Sequence, residues 1–319
     1  MYIRLIFVIF IFGFFPTFNF GQNENISSKE KLILQKLNEA HQLMLGKKTD
    51  EAITILKKLA DTEQEAKLLY AIHGMLGDAY SSKFDVDQAN KHYDRLLDIK
   101  PNDGYIYFKK GQILKFFPKK IKEAIECFEA SKKYGFENAG IHTALGFCYK
   151  MAAERSSSKA DVEKFYFMAI ESYKKLLGLE PGNRIALGNL GDICFNIGSY
   201  DVAEKIYSEL HQRFPNDIET NVRLGHTFLV KKQYQKAEKI LKKTNALFEG
   251  LDVKSNQQLF NKKLEADLYY AEVLIAVKKA SQAKQILSNV IVLGDSIESL
   301  SSTTKYRLQQ AKKLLQNIK

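Results

Sequence analysis

The stretch RIALGNLGDICFNIGSYDVAEKIYSELHQRFP, residues 184–215, decides the fold of this chain of 319 residues. Its apolar residues recur mostly three or four positions apart, which is the spacing of an amphipathic helix rather than of a strand. A small residue, Gly191, is followed by Ala203 and then by the bulky Tyr207. Pro215 closes the stretch, and proline ends helices because it lacks a backbone donor. The stretch therefore predicts two helices that cross at a small residue.

The same arrangement recurs along the chain, at a separation of 34 residues between Gly77 and Gly111 and again between Gly191 and Gly225. The small residue stands at Gly77, Gly111, Gly146, Gly191, Gly225 and Ala271; the alanine at Ala89, Ala124, Ala169, Ala203, Ala237 and Ala283; the bulky residue at Tyr93, Phe128, Tyr173, Tyr207, Leu241 and Leu287. A weaker first unit aligns on Ala52. Small residues let two helices approach closely, and each pair leaves an apolar face that only the next pair can cover. The pattern predicts an array of stacked helix pairs.

With this period and these residues, the chain resembles tetratricopeptide-repeat proteins. The resemblance implies an all-α, right-handed solenoid of about seven helix-turn-helix units over residues 30–300, closed by a capping helix at residues 301–319. It departs from the family pattern early in the first helix of most units, where an aromatic residue, often tryptophan, is expected; the chain has no Trp. Insertions near residues 151–162 and 249–263 lengthen either the helices or a loop, as tolerated surface or as an edge contact with a partner.

The first residues differ from the rest of the chain. Arg4 precedes the apolar run Leu5–Phe15, which is followed by Pro16 and a small residue at Gly21. A positive start, a short apolar block and a small residue are typical of a secretory signal peptide. We predict a signal peptide at residues 1–21, a linker at 22–29, and export to the periplasm or outside the cell. The alternative is an uncleaved signal that anchors the protein in the membrane.

The chain is basic, with 48 Lys+Arg against 37 Asp+Glu and a net charge of +11. Lysine predominates, whereas arginine is better suited to forked recognition of phosphates and bases, so we expect no specific nucleic-acid partner. The densest basic segment predicts either a solvated helix surface or a dock for an anionic surface. Its lysines are Lys231, Lys232, Lys236, Lys239, Lys242 and Lys243.

Motifs for catalysis, nucleotide binding or metal binding do not occur in the sequence. The six histidines show no metal-ligand spacing, and Cys127, Cys148 and Cys194 form no C-x-x-C pair. We therefore expect a non-enzymatic protein without metal or cofactor.

Binding residues are implied by the resemblance, because repeats of this family bind partners in a groove lined by the first helix of each unit. Transferred to this sequence, the groove positions are Tyr105, Phe108, Gln112, Phe116, Phe147, Lys150, Asp192, Phe195, Asn196 and His226. Tyr105, Phe108, Phe147 and Phe195 form a predicted aromatic strip for an extended peptide or a partner helix. The expected function is a protein-interaction scaffold, with a protein or peptide partner and a role in assembling a membrane-associated envelope complex. The alternative is a surface-associated binder of anionic glycan or lipid through the Lys-rich edge.

Overall fold

The computed structural model describes residues 27–63 and 65–318, and all regular elements in that part of the chain are helices. In chain order the α-helices are α1 (Ser28–Leu45), α2 (Thr49–Thr62), α3 (Ala66–Ser82), α4 (Val86–Ile99), α5 (Gly104–Leu114), α6 (Ile121–Lys133), α7 (Ala139–Arg155), α8 (Lys159–Leu179), α9 (Arg184–Asn196), α10 (Tyr200–Arg213), α11 (Ile218–Val230), α12 (Tyr234–Ala246), α13 (Gln257–Ala276), α14 (Ala280–Asp295) and α15 (Ser302–Asn317). A 3₁₀ turn, Pro118–Lys120, precedes α6. The predicted all-α fold is confirmed. The predicted signal peptide and most of the predicted linker lie outside the described residues.

Short polar side chains begin many of these helices. Each accepts a hydrogen bond from a backbone N–H of the first turn, which would otherwise have no acceptor. They are Ser27, Asp85, Asn138, Ser158, Asn183, Asp217, Asn256 and Ser301. Between α8 and α9, Gly182 has a φ of +84°, a conformation that glycine adopts without strain. Local sequence therefore sets where the helices begin and where the chain reverses.

Glycine allows the two helices of a pair to touch. A Cβ atom on Gly77 would lie 2.5 Å from the ring of Tyr93, and one on Gly191 would lie 2.7 Å from the ring of Tyr207. Carbon atoms in contact prefer a separation of about 3.5–4.0 Å, so a larger residue does not fit at either site without movement. Gly146 packs against Tyr173, and Gly225 against Leu241, in the same way. The recurring small and bulky residues of the sequence are thus the contacts between successive helices.

The helices group into two compact units, one reaching Ile113 and the other beginning at Leu114. In the first unit, α1 packs on α2, α2 on α3, and α3 on α4. In the second unit, each helix from α6 to α15 packs on the next one, and α7, α9, α11, α13 and α15 also contact one another in that order. The first helices of the pairs therefore form a layer of their own within the second unit.

The last helix, α15, covers the final helix pair of the second unit. A Cβ atom on Gly294 of α14 would lie 2.8 Å from a methyl carbon of Leu308, which is buried in α15. Phe260, fully buried at the start of α13, approaches the same glycine. An apolar face of the array that would otherwise meet water is buried by this contact.

Both insertions contain helix. Helix α7 continues to Arg155 and α8 begins at Lys159, so the first insertion lengthens both helices and leaves residues 156–158 as the turn. The hydroxyl of Tyr166, on the lengthened α8, accepts a hydrogen bond of 3.2 Å from Asn196 at the end of α9. In the second insertion, residues 257–263 belong to α13. A partner contact at either insertion stays a prediction.

Among the described residues, no helix combines the length and apolar character that crossing a membrane requires.

Candidate partner-binding surface

The candidate surface lies on the layer of first helices in the second unit. Helices α7, α9, α11 and α13 contact one another in sequence, and α15 contacts α13. We call the side that these five helices present the first-helix face. Two rows of side chains run across it, one charged and one aromatic, and two cavities open between its helices.

The charge row takes one residue from each of the five helices and alternates in sign. Lys150 lies 2.7 Å from the Asp192 carboxylate, and Nε of Arg223 lies 3.4 Å from the other oxygen of the same carboxylate. Nη1 of Arg223 lies 3.5 Å from Oε1 of Glu265, whose Oε2 lies 3.4 Å from Nη1 of Arg307. Since each charge except the terminal two has an opposite charge on both sides, the row links α7, α9, α11, α13 and α15 electrostatically.

Asp192 is held in its ionised form by its neighbours. Burial raises the pKa of this carboxyl, but the charges of Arg223 and Lys150, with hydrogen bonds from Lys150 and Tyr207, outweigh burial and leave the pKa below its ordinary value. The hydroxyl of Tyr207 donates to Asp192 at 2.6 Å. Lys150 also donates to the side-chain oxygen of Asn189 at 3.0 Å. Asp192 therefore has three polar partners, namely Lys150, Arg223 and Tyr207.

The aromatic row runs beside the charge row. The ring centroids of Phe195 and His226 are 4.7 Å apart, and those of His226 and Tyr269 are 3.9 Å apart with an interplanar angle of 11°. Burial, followed by the charge of Arg223, lowers the pKa of His226 to about 4. The histidine is therefore a neutral ring at neutral pH and stacks without charge between its two neighbours.

A first cavity of about 400 Å³ opens between α9 and α11. It is lined by Gly188, by Ile185, whose side chain is 57% exposed, and by Asn189, Asp192 and Arg223 among others. A Cβ atom on Gly188 would meet no atom within 4 Å, apart from its own helix and chain neighbours. The missing side chain of Gly188 therefore leaves a space on the first-helix face that a ligand can enter.

A second cavity, of about 680 Å³, opens between α11, α13 and α15. Its lining includes His226, Tyr269 and Glu265 of the two rows, together with Glu272 of α13 and Tyr306 of α15. Burial raises the pKa of Glu272 above its ordinary value. The aromatic row thus continues into this cavity.

The predicted binding residues of the second unit do not all have the same role. Lys150 and Asp192 belong to the charge row, and Phe195 and His226 to the aromatic row. Phe147 on α7 and Phe116 between α5 and α6 are exposed by 39% and 61%. Asn196 donates to Tyr166 at the end of α9. A partner would therefore meet Lys150 and Asp192 as a formed ion pair rather than as free charges.

The remaining predicted residues, Tyr105, Phe108 and Gln112, lie on α5 in the first unit and are partly buried. The rings of Tyr105 and Phe108 stack with centroids 6.5 Å apart, and the ammonium of Lys109 lies 5.5 Å from the Tyr105 centroid. Lys109 also forms an ion pair of 3.1 Å with Asp78. The four aromatics of the predicted strip are thus divided between the two units, and their joint action on one ligand stays a prediction.

The predicted basic edge is only partly available as free charge. Lys231 lies 2.5 Å from both Asp201 and Glu204, and Lys236 lies 3.8 Å from Glu204. Lys232 is exposed in the turn before α12, with a φ of +57°. Lys239, Lys242 and Lys243 are exposed on α12. The acidic partners of Lys231 lie on α10, about 30 residues earlier in the chain, and the role of this edge in binding stays a prediction.

Sequence reasoning missed several residues of this face, namely Gly188, Glu265, Tyr269, Glu272, Tyr306 and Arg307. The signal was present for Tyr269, an aromatic residue in a first helix, but its position in the unit differs from that of the aromatics in earlier units. Phe195 follows Gly191 by four residues, His226 follows Gly225 by one, and Tyr269 precedes Ala271 by two. The row runs diagonally across the helices, so one fixed position in the repeat does not find it.

Comparison with known proteins agrees with this architecture. The sequence profile described as "Tetratricopeptide repeat" matches residues 70–103, which hold most of α3, all of α4 and the contact of Gly77 with Tyr93. Residues 70–103 are therefore a tetratricopeptide repeat, and the chain has the fold of tetratricopeptide-repeat arrays. Its fold is similar to that of a tetratricopeptide repeat protein from Parabacteroides merdae, with a TM-score of 0.62 and 13% identity, over 88% of this chain and 99% of that one.

A second similar structure is the C-terminal part of a TPR repeat-containing protein from Cytophaga hutchinsonii, with a TM-score of 0.60 and 14% identity, over 85% of this chain and 99% of that one. A third is pilF of Pseudomonas aeruginosa, with a TM-score of 0.50 and 14% identity, over 78% of this chain and 99% of that one. At such low identity these likenesses concern the fold, the all-α tetratricopeptide-repeat array, and not the partners.

Proposed function

We propose that this protein is a non-enzymatic protein-interaction scaffold that binds a peptide or a partner helix on the first-helix face. The observation that carries the proposal is the cavity at Gly188, an open space beside the exposed Ile185 within a row of tightly packed helices. Glycine at position 188 keeps this space open at a cost in helix stability, because alanine is better than glycine inside a helix by about 0.5–1 kcal/mol.

The chemistry of this cavity favours a side chain inserted from a polypeptide. Its charged groups are already compensated, since Arg184 pairs with Asp217 while Arg223 pairs with Asp192. A ligand therefore gains little from net charge there, and more from burying apolar surface against Ile185 in the space left by Gly188. The aromatic row nearby offers further contact area for the rest of the segment.

The test is to fill the cavity without disturbing the fold. Peptides selected on the purified protein from a random display library serve as the probe. Gly188→Leu places a side chain in the open space and should abolish their binding. Gly178→Leu is the matched control, because Gly178 lies in α8, outside the cavity lining, and a Cβ atom there also meets no atom within 4 Å. Peptides that bind Gly188→Leu as well as the wild type would contradict the proposal.

We further propose that the protein acts outside the cytoplasm, in the assembly of an envelope complex. The support is the apolar run Leu5–Phe15 behind Arg4, which has the form of a secretory signal. Cell fractionation with a C-terminal tag tests the location. Recovery in the cytoplasmic fraction alone would rule out export, whereas recovery in membranes after a carbonate wash would indicate the uncleaved anchor. Pull-down from native envelope fractions then tests for a complex.

A second candidate function is binding of an anionic glycan or lipid surface. The observation in its favour is the group Lys239, Lys242 and Lys243, which is exposed on α12 and belongs to none of the ion pairs in the described part of the chain. Binding to heparin or to vesicles containing anionic lipid should then weaken steeply with salt, and the triple Lys→Gln variant should lose it. Binding that is indifferent to salt or to these substitutions would exclude this function.

A further inference from the structure

The cavity of about 680 Å³ between α11, α13 and α15 contains a carboxylate that the charge row does not use. Among the described residues, no basic side chain lies within 4 Å of the carboxylate of Glu272 on α13. Glu265, which lines the same cavity, forms ion pairs with both Arg223 and Arg307. The side chain of Glu272 is exposed at the cavity, where a ligand can reach it. The carboxylate of Glu272 is therefore available to a partner on the first-helix face.

Two tyrosine side chains line the same space. Tyr269, one turn before Glu272 on α13, ends the aromatic row, and Tyr306 of α15 has a side chain that is 62% exposed. A carboxylate among tyrosine rings is the combination that attracts a cation, since the faces of the rings are electron-rich and the carboxylate supplies a full negative charge.

The basic residues of the lining do not satisfy Glu272. Arg307 is directed to Glu265 at 3.4 Å and to the side-chain oxygen of Asn261 at 3.0 Å. Lys313, on α15, lines the cavity and is exposed, but it forms no ion pair with Glu272. The remaining polar lining groups include the neutral amides of Gln309 and Gln310.

We propose that this cavity is a binding subsite for a lysine or arginine side chain of the partner polypeptide, with Glu272 as the counter-charge and Tyr269 and Tyr306 as the ring contacts. The inference deepens the proposed function, since it names a side chain that the partner carries at one end of the first-helix face. The volume is sufficient for such a side chain, because ligand cavities in proteins start at about 300 Å³. Partial desolvation raises the pKa of Glu272, and an arriving cation would act in the opposite direction and lower it.

The experiment uses two small probes and two variants. Nα-acetyl-lysine methylamide carries the charged side chain, and Nα-acetyl-norleucine methylamide is its uncharged counterpart of similar shape. Each is titrated into the full-length protein with selectively labelled tyrosine rings, followed by NMR. The lysine probe should saturate the signals of Tyr269 and Tyr306, assigned by Tyr→Phe substitution, whereas the norleucine probe should shift them by far less.

The variants separate the charge from the cavity. Glu272→Gln should lower the affinity for the lysine probe by about threefold to tenfold. Lys313→Gln should leave this affinity unchanged or raise it, because a competing cation is removed. Both positions are exposed, so unchanged thermal midpoints are expected and serve as the folding control. Equal binding of the two probes, or no effect of Glu272→Gln, would overturn the proposal.

The outcome is independent of the test at Gly188. If library peptides bind at the Gly188 cavity but the affinity of the lysine probe does not change in Glu272→Gln, the scaffold function is supported and the subsite at Glu272 is excluded. A free polyamine that binds more tightly than lysine-containing peptides of equal charge would overturn the assignment to a polypeptide partner. Lysine enrichment among the library peptides that is lost on Glu272→Gln would support both proposals together.

Discussion

The hydroxyl of Tyr207 donates a hydrogen bond of 2.6 Å to the carboxylate of Asp192, while the ring of the same tyrosine covers Gly191. One side chain thus closes the helix crossing and orients a carboxylate on the first-helix face. The first unit repeats the arrangement, with Tyr93 donating to Asp78 at 2.8 Å. The bulky residue of the repeat therefore has two roles, packing at the crossing and positioning a charge.

A natural comparison lies one helix pair earlier. The ring of Tyr173 covers Gly146, but the next residue is Phe147 instead of aspartate. The buried hydroxyl of Tyr173 has no hydrogen-bond partner within the part of the chain that the structure describes. Packing at the crossing is therefore retained there without the hydrogen bond.

We predict that Tyr207→Phe destabilises the protein by about 1–3 kcal/mol, because it removes a hydrogen bond to the charged and partly buried carboxylate of Asp192. Tyr173→Phe should be neutral or stabilising, since it removes a hydroxyl without a partner. Both changes keep the ring over the glycine. Urea unfolding followed by circular dichroism measures the difference, and equal losses for the two variants would show that the hydroxyl of Tyr207 contributes nothing.

Two glycines of α9 should respond in opposite directions to the same substitution. Gly191→Ala should destabilise the protein by about 1–3 kcal/mol, because the new methyl group would lie 2.7 Å from the ring of Tyr207. Gly188→Ala should stabilise it by about 0.5–1 kcal/mol, because the methyl group enters open space and alanine favours the helix. Thermal midpoints of the two single variants test the pair, and a loss of stability in both would contradict an open cavity at Gly188.

The low pKa of His226 predicts a loss of stability in mild acid. Burial and the charge of Arg223 lower the pKa to about 4 in the folded protein, against 6.5 as the ordinary value, so the unfolded chain binds a proton first as the pH falls. Stability from this residue is present above pH 6.5 and is lost between pH 6.5 and about 4. His226→Phe keeps an aromatic ring in the row and should flatten the dependence of the urea midpoint on pH in that window. An unchanged slope would show that His226 does not titrate there.

The charge row should show coupling between neighbours. Arg223→Met leaves the buried Glu265 with Arg307 as its basic neighbour, and Glu265→Met leaves Arg223 with Asp192 and Glu219. Each single variant should lose about 1–3 kcal/mol, and the double variant should lose less than the sum, by about 1 kcal/mol. A double-mutant cycle in urea measures the coupling. Additive losses would mean that the two side chains do not stabilise each other.

Much of the local structure followed from the sequence. Pro215 marks a helix end, and Gly191 with Tyr207 marks a crossing, because these features depend on a missing backbone donor and on side-chain size within about 20 residues. The predicted groove positions included Asp192, Phe195 and His226, all of which lie in the two rows. The ion pairs of Lys231 with Asp201 and Glu204 could not be predicted from the sequence, because they join two helices that the repeat does not align by position.

The sequence by itself determined the helices, their pairing and the contacts at Gly191 and its equivalents, since each follows from residues close together in the chain. Only the tertiary structure decided the rows of the first-helix face. Lys150 follows Gly146 by four residues, Asp192 follows Gly191 by one, and Arg223 precedes Gly225 by two. The facing residue thus shifts by about one helical turn from each first helix to the next, because neighbouring helices pack at an angle. That angle results from side-chain packing over the whole contact, and it is the physical reason why five separate charges form one row.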